Sequence, residues 1–211
     1  MNAHTEILAL TGEAGAIEAR RDAPAAGTAP RGVVVIAHPH PLFGGTLDNK
    51  VVQTLARAYV QCGWVAVRFN FRGVGGSAGV HDEGRAELQD LLAVVRQVAP
   101  EGAIALAGFS FGAFVTSHAL AALWDEREVD TAVLVGTAAS RFSVAPVPPQ
   151  AHLRTLVLHG EQDDTVPLAA VLDWARPQTL PVTVIPGGGH FFHGQLHLLK
   201  ELVVRHLQSV A

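Results

Sequence analysis

Cysteine is nearly absent from this chain. Cys62 stands alone among 211 residues, so no disulfide can close within the chain and no cysteine-based zinc site can form. Charge is sparse as well: 16% of residues are Asp, Glu, Lys or Arg, and the formal net charge is −4. With no basic excess and no polybasic cluster, the sequence has no electrostatic footprint for nucleic acid or for an anionic membrane surface. No apolar run approaches the roughly 20 residues needed to cross a bilayer. The opening Met1-Asn2-Ala3-His4-Thr5-Glu6 lacks the charged-then-apolar shape of a secretory signal. Together these absences predict a cytoplasmic protein without a nucleic-acid or membrane partner. What the chain does have is apolar: 49% of residues are hydrophobic. That is too much for disorder, and the length fits a single domain spanning 1–211.

The order of elements follows from periodicity and turn residues. Thr5 to Leu10, a turn at Thr11 to Gly15, and Ala16 to Arg20 read as an antiparallel hairpin. Val33 to Ala37 is an uninterrupted β-branched run, the mark of a strand buried on both faces. Val51, Val52, Leu55, Ala56, Tyr59 and Val60 share a helical face, and Gly63 ends that helix. Trp64 to Phe69, Ala103 to Ala107, Val129 to Val135, Leu153 to Leu158 and Val182 to Ile185 read as further strands. Between and after them lie helical patterns: one that Asp82 is placed to cap and Pro100 stops, one from Ala113 to Trp124, a short one from Leu168 to Ala175, and a last one with Leu196, Leu199, Leu202, Val203 and Leu207. An antiparallel start followed by repeated strand–helix units predicts a mostly parallel sheet with helices on both faces.

Four stretches with chemical potential fall at the carboxyl ends of these strands, where open parallel sheets bind ligands. Gly108-Phe109-Ser110-Phe111-Gly112 is the G-x-S-x-G pattern of a nucleophile elbow, with the serine on a tight turn between strand and helix. A serine hydroxyl needs a base to take its proton, and the base needs a group to fix its tautomer. Asp163 and then His190 follow Ser110 in the chain, the Ser…Asp…His order of α/β-hydrolases. The fourth stretch is His38-Pro39-His40-Pro41-Leu42-Phe43-Gly44-Gly45.

From about Gly32 to the C-terminus the chain resembles the α/β-hydrolase superfamily. His38 to Gly45 looks like the corresponding loop of small bacterial hydrolases that lack a lid. His159-Gly160-Glu161-Gln162-Asp163-Asp164-Thr165-Val166-Pro167 is similar to the H-G-x-x-D-x-x-V-P segment, and Gly187-Gly188-Gly189-His190-Phe191-Phe192 to the terminal G-x-G-H-F segment. The resemblance implies an α/β-hydrolase fold without a cap domain, with Ser110 as nucleophile, His190 as base and Asp163 as its orienting acid. Asp163 fits the spacing after Gly160; Asp164 would then point away, placed to cap the helix after Pro167. One oxyanion donor is expected from the N–H of Phe111. The other is expected from His40, because Pro39 and Pro41 have no N–H and His40 occupies the place the superfamily uses, with Leu42 in reserve. The His40 side chain either lines the pocket or faces solvent. Arg72-Gly73-Val74-Gly75-Gly76-Ser77, with Asn70, is similar to an R-G-x-G-x-S loop and reads as an arginine-anchored turn rather than a substrate contact.

Other readings compete. His190, His193 and His197 have a spacing that could ligate a metal, helped by His38 or His40, but no carboxylate lies among them and a catalytic His190 cannot also be a ligand. The expectation is no metal and no cofactor. A non-catalytic binding protein on this scaffold would be expected to have lost Ser110 or His190. A serine nucleophile points to esters, thioesters or amides. The loop Gly136 to His152 is too short and proline-rich for a helical cap, which favours small or exposed acyl groups. A small carboxylic ester comes first as substrate; thioesterase and peptidase activities share the same triad. Oligomeric state is not legible.

Overall fold

The computed structural model describes residues 5–25, 27 and 29–210. Met1 to His4, which open the segment read above for a secretory signal, lie outside the described residues, as do Ala26 and Thr28 in the loop after the hairpin. One sheet of eight strands runs through the described chain in the order β1-β2-β4-β3-β5-β6-β7-β8. The strands are β1 (Thr5–Gly12), β2 (Gly15–Asp22), β3 (Val33–Ala37), β4 (Val65–Phe69), β5 (Ile104–Phe109), β6 (Val129–Val135), β7 (Thr155–Gly160) and β8 (Val182–Ile185). β1 and β2 are antiparallel to each other, and β2 is antiparallel to β4. Every other pairing is parallel. This is the α/β-hydrolase arrangement with an antiparallel N-terminal hairpin.

The hairpin turn is tighter than its sequence suggests. Gly12 pairs with Gly15, so only Glu13 and Ala14 lie outside the ladder. Gly15 has φ +118°, a conformation open to glycine at little cost.

Among the described residues five α-helices cover the two faces: α1 (Lys50–Gln61), α2 (Arg85–Val98), α3 (Phe111–Leu123), α4 (Leu168–Ala175) and α5 (Leu196–Ser209). Alternate residues of β5 point to opposite faces, as the strand period requires. Ile104 and Leu106 enter a core shared with Leu91 and Val95 of α2 and Val115 and Leu120 of α3. Ala105, Ala107 and Phe109 enter the other core, with Leu55 and Tyr59 of α1 and Leu199 and Val203 of α5. Both faces of β5 are therefore dry. Its run of small apolar residues suits a strand with a helix layer on each side.

Two helix starts differ from expectation. Asp82 does not cap α2. The cap is Gly84, at φ +96°, and buried Glu87 reaches back to accept its N–H at 2.9 Å. Asp82 instead accepts a hydrogen bond from the Arg85 side chain at 2.6 Å. Asp164 does not cap α4 either. Pro167 holds that position without a side-chain cap, and Asp164 Oδ1 accepts from the Thr165 hydroxyl at 3.3 Å.

Buried polar groups brace the loops at the carboxyl end of the sheet. Arg68 of β4 is buried, donates to Asp22 at 3.0 Å and to the Leu47 carbonyl at 2.9 Å, and so ties the start of α1 to the hairpin. Arg68 also pairs with Asp48 at 3.2 Å, so removing Arg68 is the change that strands a buried partner, Asp22, at a cost of about 3–5 kcal/mol. Asn70 accepts from Leu47 N–H at 2.8 Å and donates to Glu18 at 2.8 Å. Arg72 grips Asp90 with two guanidinium bonds, at 2.9 and 2.7 Å. The loop from Asn70 to Ser77 is thus an anchored turn.

Candidate active site

Ser110 sits between the last residue of β5 and the first of α3 with φ 58° and ψ −116°. For a residue with a Cβ this backbone is strained by about 1–3 kcal/mol, and the surroundings must hold it. They do so by close approach. A Cβ on Gly108 would stand 2.4 Å from the Gly112 carbonyl oxygen, and one on Gly112 would stand 2.4 Å from the oxygen of Ala37. The second contact presses the start of α3 against the end of β3. It brings Phe111, whose N–H opens the helix and has no intrahelical acceptor, beside the loop that carries His40. The two side chains meet with ring centroids 4.9 Å apart.

That loop is fixed from below by His38. Its ring is fully buried. Nδ1–H donates to the Pro39 carbonyl at 2.6 Å, and Nε2 accepts from the Phe71 N–H at 3.0 Å. Burial pushes its pKa down to about 4, so the ring is neutral and both nitrogens serve the backbone. His40 lines the cleft above Ser110 and is half-buried there. Its Nδ1 accepts from the Leu42 N–H at 3.2 Å. This removes Leu42 as the reserve oxyanion donor, because its N–H is already taken. Among the described residues the His40 N–H has no protein acceptor.

The other two loops are brought together by glycine. A Cβ on Gly160 would stand 2.3 Å from the Gly188 carbonyl oxygen, so only bare backbone lets the loops after β7 and β8 touch. Gln162 N–H donates to that same oxygen at 2.8 Å. Across this seam His190 Nδ1 lies 2.7 Å from Asp163 Oδ2, and His190 Nε2 lies 3.0 Å from Ser110 Oγ. Asp163 Oδ1 accepts from the N–H groups of Thr165 and Val166, at 2.9 and 2.7 Å. Burial by itself would raise the Asp163 carboxyl, but the bonds from His190 and Val166 outweigh it and hold its pKa below the usual carboxylate range. An ionised Asp163 only accepts, so His190 carries its proton on Nδ1 and offers Nε2 to the serine hydroxyl. Phe109 lies against the imidazole, with centroids 4.9 Å apart. Behind Asp163, buried His159 donates from Nε2 to the Val166 carbonyl at 2.8 Å; burial pushes its pKa down and keeps it neutral.

The structure thus brings Ser110, Asp163, His190, His40 and Phe111 to one place. It leaves Asp164 exposed, bonded to the Thr165 hydroxyl, while the His190 Nδ1 partner is Asp163. His193 precedes α5, and both it and His197 are exposed. Among the described residues no group of three or more His, Cys, Asp or Glu side chains is placed to hold a metal. The site opens into a cleft of about 340 Å³ lined by, among others, Pro39, Phe43, Asn49, Arg141 and Phe191. A recess of about 40 Å³ continues it between Phe111, Ala138, Phe142 and Val166. Arg141 and Phe142 carry no signal in the sequence pattern, because the fold of their loop alone sets their positions; Phe191 stands in the terminal G-x-G-H-F segment, and Asn49 is held as the N-cap of α1.

The sheet order and the strained serine elbow define an α/β-hydrolase. The model of the X-Pro dipeptidyl-peptidase family, S15, matches residues 16–145, and the chain belongs to that family. An uncharacterized protein of Rickettsia prowazekii is 30% identical, the alignment covering 95% of this chain and 88% of that protein. The chain is also similar to an α/β serine hydrolase without a lid from Xanthomonas campestris, with 34% identity, 99% of this chain and 96% of the other covered, and a TM-score of 0.87. An α/β serine hydrolase homologue from Coxiella burnetii is 38% identical, with 96% of this chain and 97% of the other covered and a TM-score of 0.81. The chain is therefore a serine hydrolase of the α/β fold, in the lidless form. No helix among the described residues is long and apolar enough to cross a membrane.

Proposed function

We propose that the protein hydrolyses small carboxylic esters through an acyl-enzyme on Ser110. The observation that carries this is the chain of hydrogen bonds from Ser110 Oγ through His190 to Asp163, at 3.0 and 2.7 Å, at the floor of the cleft. In the first half-reaction Ser110 Oγ attacks the ester carbonyl carbon and its proton passes to His190 Nε2. The negative oxygen then faces the N–H groups of Phe111 and His40, each worth about 3 kcal/mol to the transition state. Collapse breaks the bond to the leaving alkoxide, which takes the proton from His190. In the second half-reaction a water gives its proton to His190 and its oxygen to the acyl carbon, and Ser110 leaves with the proton returned. Asp163 stays ionised throughout and steadies the imidazolium.

Esters are favoured over amides because an alkoxide leaves more readily than an amine. A peptidase activity is the second reading, suggested by the family to which the chain belongs. A dipeptidyl-peptidase must hold the free ammonium of its substrate. No Asp or Glu is among the residues lining the cleft, and Arg141 puts a positive charge there instead. Labelling by a fluorophosphonate probe, followed by turnover of p-nitrophenyl esters of graded length beside a thioester and an Ala-Pro anilide, tests both readings. The expected result is labelling that Ser110→Ala abolishes and turnover highest for short esters. Faster cleavage of the anilide would replace the ester reading with the peptidase one; a folded wild type that resists labelling would end both.

A further inference from the structure

Arg141 is the charged group of the cleft that the mechanism leaves without a task. It lines both the 340 Å³ cleft and the 40 Å³ recess beside Ser110. Most arginines of the protein are committed to a partner: Arg68 to Asp22, Arg72 to Asp90, Arg31 and Arg154 to Asp130. The Arg141 guanidinium has neither an ion pair nor a hydrogen bond among the described residues, and no carboxylate lines either space. Its charge reaches His40, whose pKa is lowered first by burial and then by the neighbouring His81, against Glu83 and Glu87, which raise it; Arg141 adds the smallest of these effects, downward.

The backbone beneath Arg141 is held in place. Arg141 N–H donates to the Ala138 carbonyl at 3.2 Å, and Phe142 N–H to the same oxygen at 3.1 Å. The Phe142 ring stacks on Phe114 of α3 with centroids 4.7 Å apart. Further along, Ala145 N–H donates to Ser117 Oγ at 3.0 Å, and Trp174 Nε1–H to the Ala145 carbonyl at 3.2 Å. A pinned loop therefore presents an exposed, unpaired guanidinium at the rim of the cleft that holds Ser110.

The two spaces divide the substrate. His190 must protonate the leaving group, so that group occupies the side lined by His190 and Phe191, whose rings lie 5.0 Å apart. The acyl group then falls toward Phe111 and the recess, whose 40 Å³ holds on the order of one or two waters. A short stem fits there, and its far end comes to the Arg141 side. We propose that Arg141 is a specificity-determining residue that selects short acyl groups ending in a carboxylate, such as the acyl half of a succinate monoester. This rests on the reading of Ser110 and His190 as the reacting pair.

The test compares two uncleavable ketones, 4-oxo-5-phenylpentanoate and its uncharged counterpart 1-phenylpentan-2-one, by NMR titration of the wild type and of Arg141→Ala. They mimic monophenyl succinate and phenyl butyrate, and because they need no turnover the outcome is independent of the catalytic reading. Wild type is expected to bind the keto acid about fivefold more tightly, and Arg141→Ala to bring the ratio to about one. Arg141→Glu should invert the ratio, and 1 M salt should compress it in the wild type. The kcat/KM ratio of the two phenyl esters should move in the same way. Equal binding of the two ketones by wild type, or a ratio untouched by Arg141→Ala, overturns the assignment. Labelling of Ser110 in the same samples reports separately on the hydrolase reading.

Discussion

Two loops at the carboxyl edge of the sheet carry a buried histidine each. After β3, His38 gives both ring nitrogens to the backbone, at Pro39 and Phe71. After β8, His190 gives both to side chains, one to an ionised carboxylate and one to a hydroxyl that faces a cleft. The two are similarly buried, at 0% and 4% exposure. Burial therefore does not separate a structural histidine from the one proposed to react. The difference is what lies on the far side of each nitrogen. A backbone partner has no chemistry to pass on, whereas Ser110 does.

The largest expected effect tests the His190 half of this contrast. Ser110→Ala and His190→Ala should each lower kcat for a short ester on the order of 10⁵–10⁶-fold, and the double variant should be no worse than either, because the pair acts as a unit. Additive losses would separate the two residues. Asp163→Asn should follow at about 10⁴-fold, since an amide at that position disturbs the imidazole tautomer. Asp164→Asn should leave kcat near wild type, and the reverse ranking would move the orienting role to Asp164.

The His38 half is read in stability rather than rate. Removing the ring in His38→Phe leaves the Phe71 N–H unpaired, at a cost of about 1–3 kcal/mol in chemical denaturation. The pH dependence has a definite sign. His38 binds its proton less readily folded, at about pH 4, than unfolded, near pH 6.5, so between these values the unfolded state holds more protons. Its contribution to stability is present above pH 6.5 and is lost as pH falls toward 4, roughly 3 kcal/mol in all. In His38→Phe that component of the slope should vanish; an unchanged slope would assign it elsewhere. The smallest expected effect is none: exhaustive chelation should leave ester turnover where it was, and a loss restored by a divalent metal would reopen the metal reading of the histidines.

The sequence made the partners of Ser110 legible because each stands in a fixed pattern after a strand that reads clearly from its apolar run. β3, with its β-branched run, and β8 appear where periodicity places them. Less legible was anything decided by a contact across the fold. Nothing in Gly160 or Gly188 announces that their backbones touch. Nothing in His38 shows that its acceptor nitrogen meets the Phe71 N–H, from a residue 33 positions away. Asp82 and Asp164 have the chemistry of a cap but lose the role locally, one because Gly84 and Glu87 close the helix end, the other because Pro167 occupies the position. Arg141 follows no periodic pattern at all; only the fold of its loop brings it over the cleft.

The parallel order of β5, β6, β7 and β8 also sets when the site comes into being. His190 lies 80 residues beyond the serine it contacts, and it reaches Ser110 only once β8 has docked on β7 and Gly188 has met Gly160. Such distant pairings form late, after the cost of closing the intervening chain has been met. During synthesis the elbow leaves the ribosome well before its base. A nascent chain that has folded as far as β6 holds Ser110 without its His190 partner, so on the proposed mechanism the enzyme is inactive until β8 is in place.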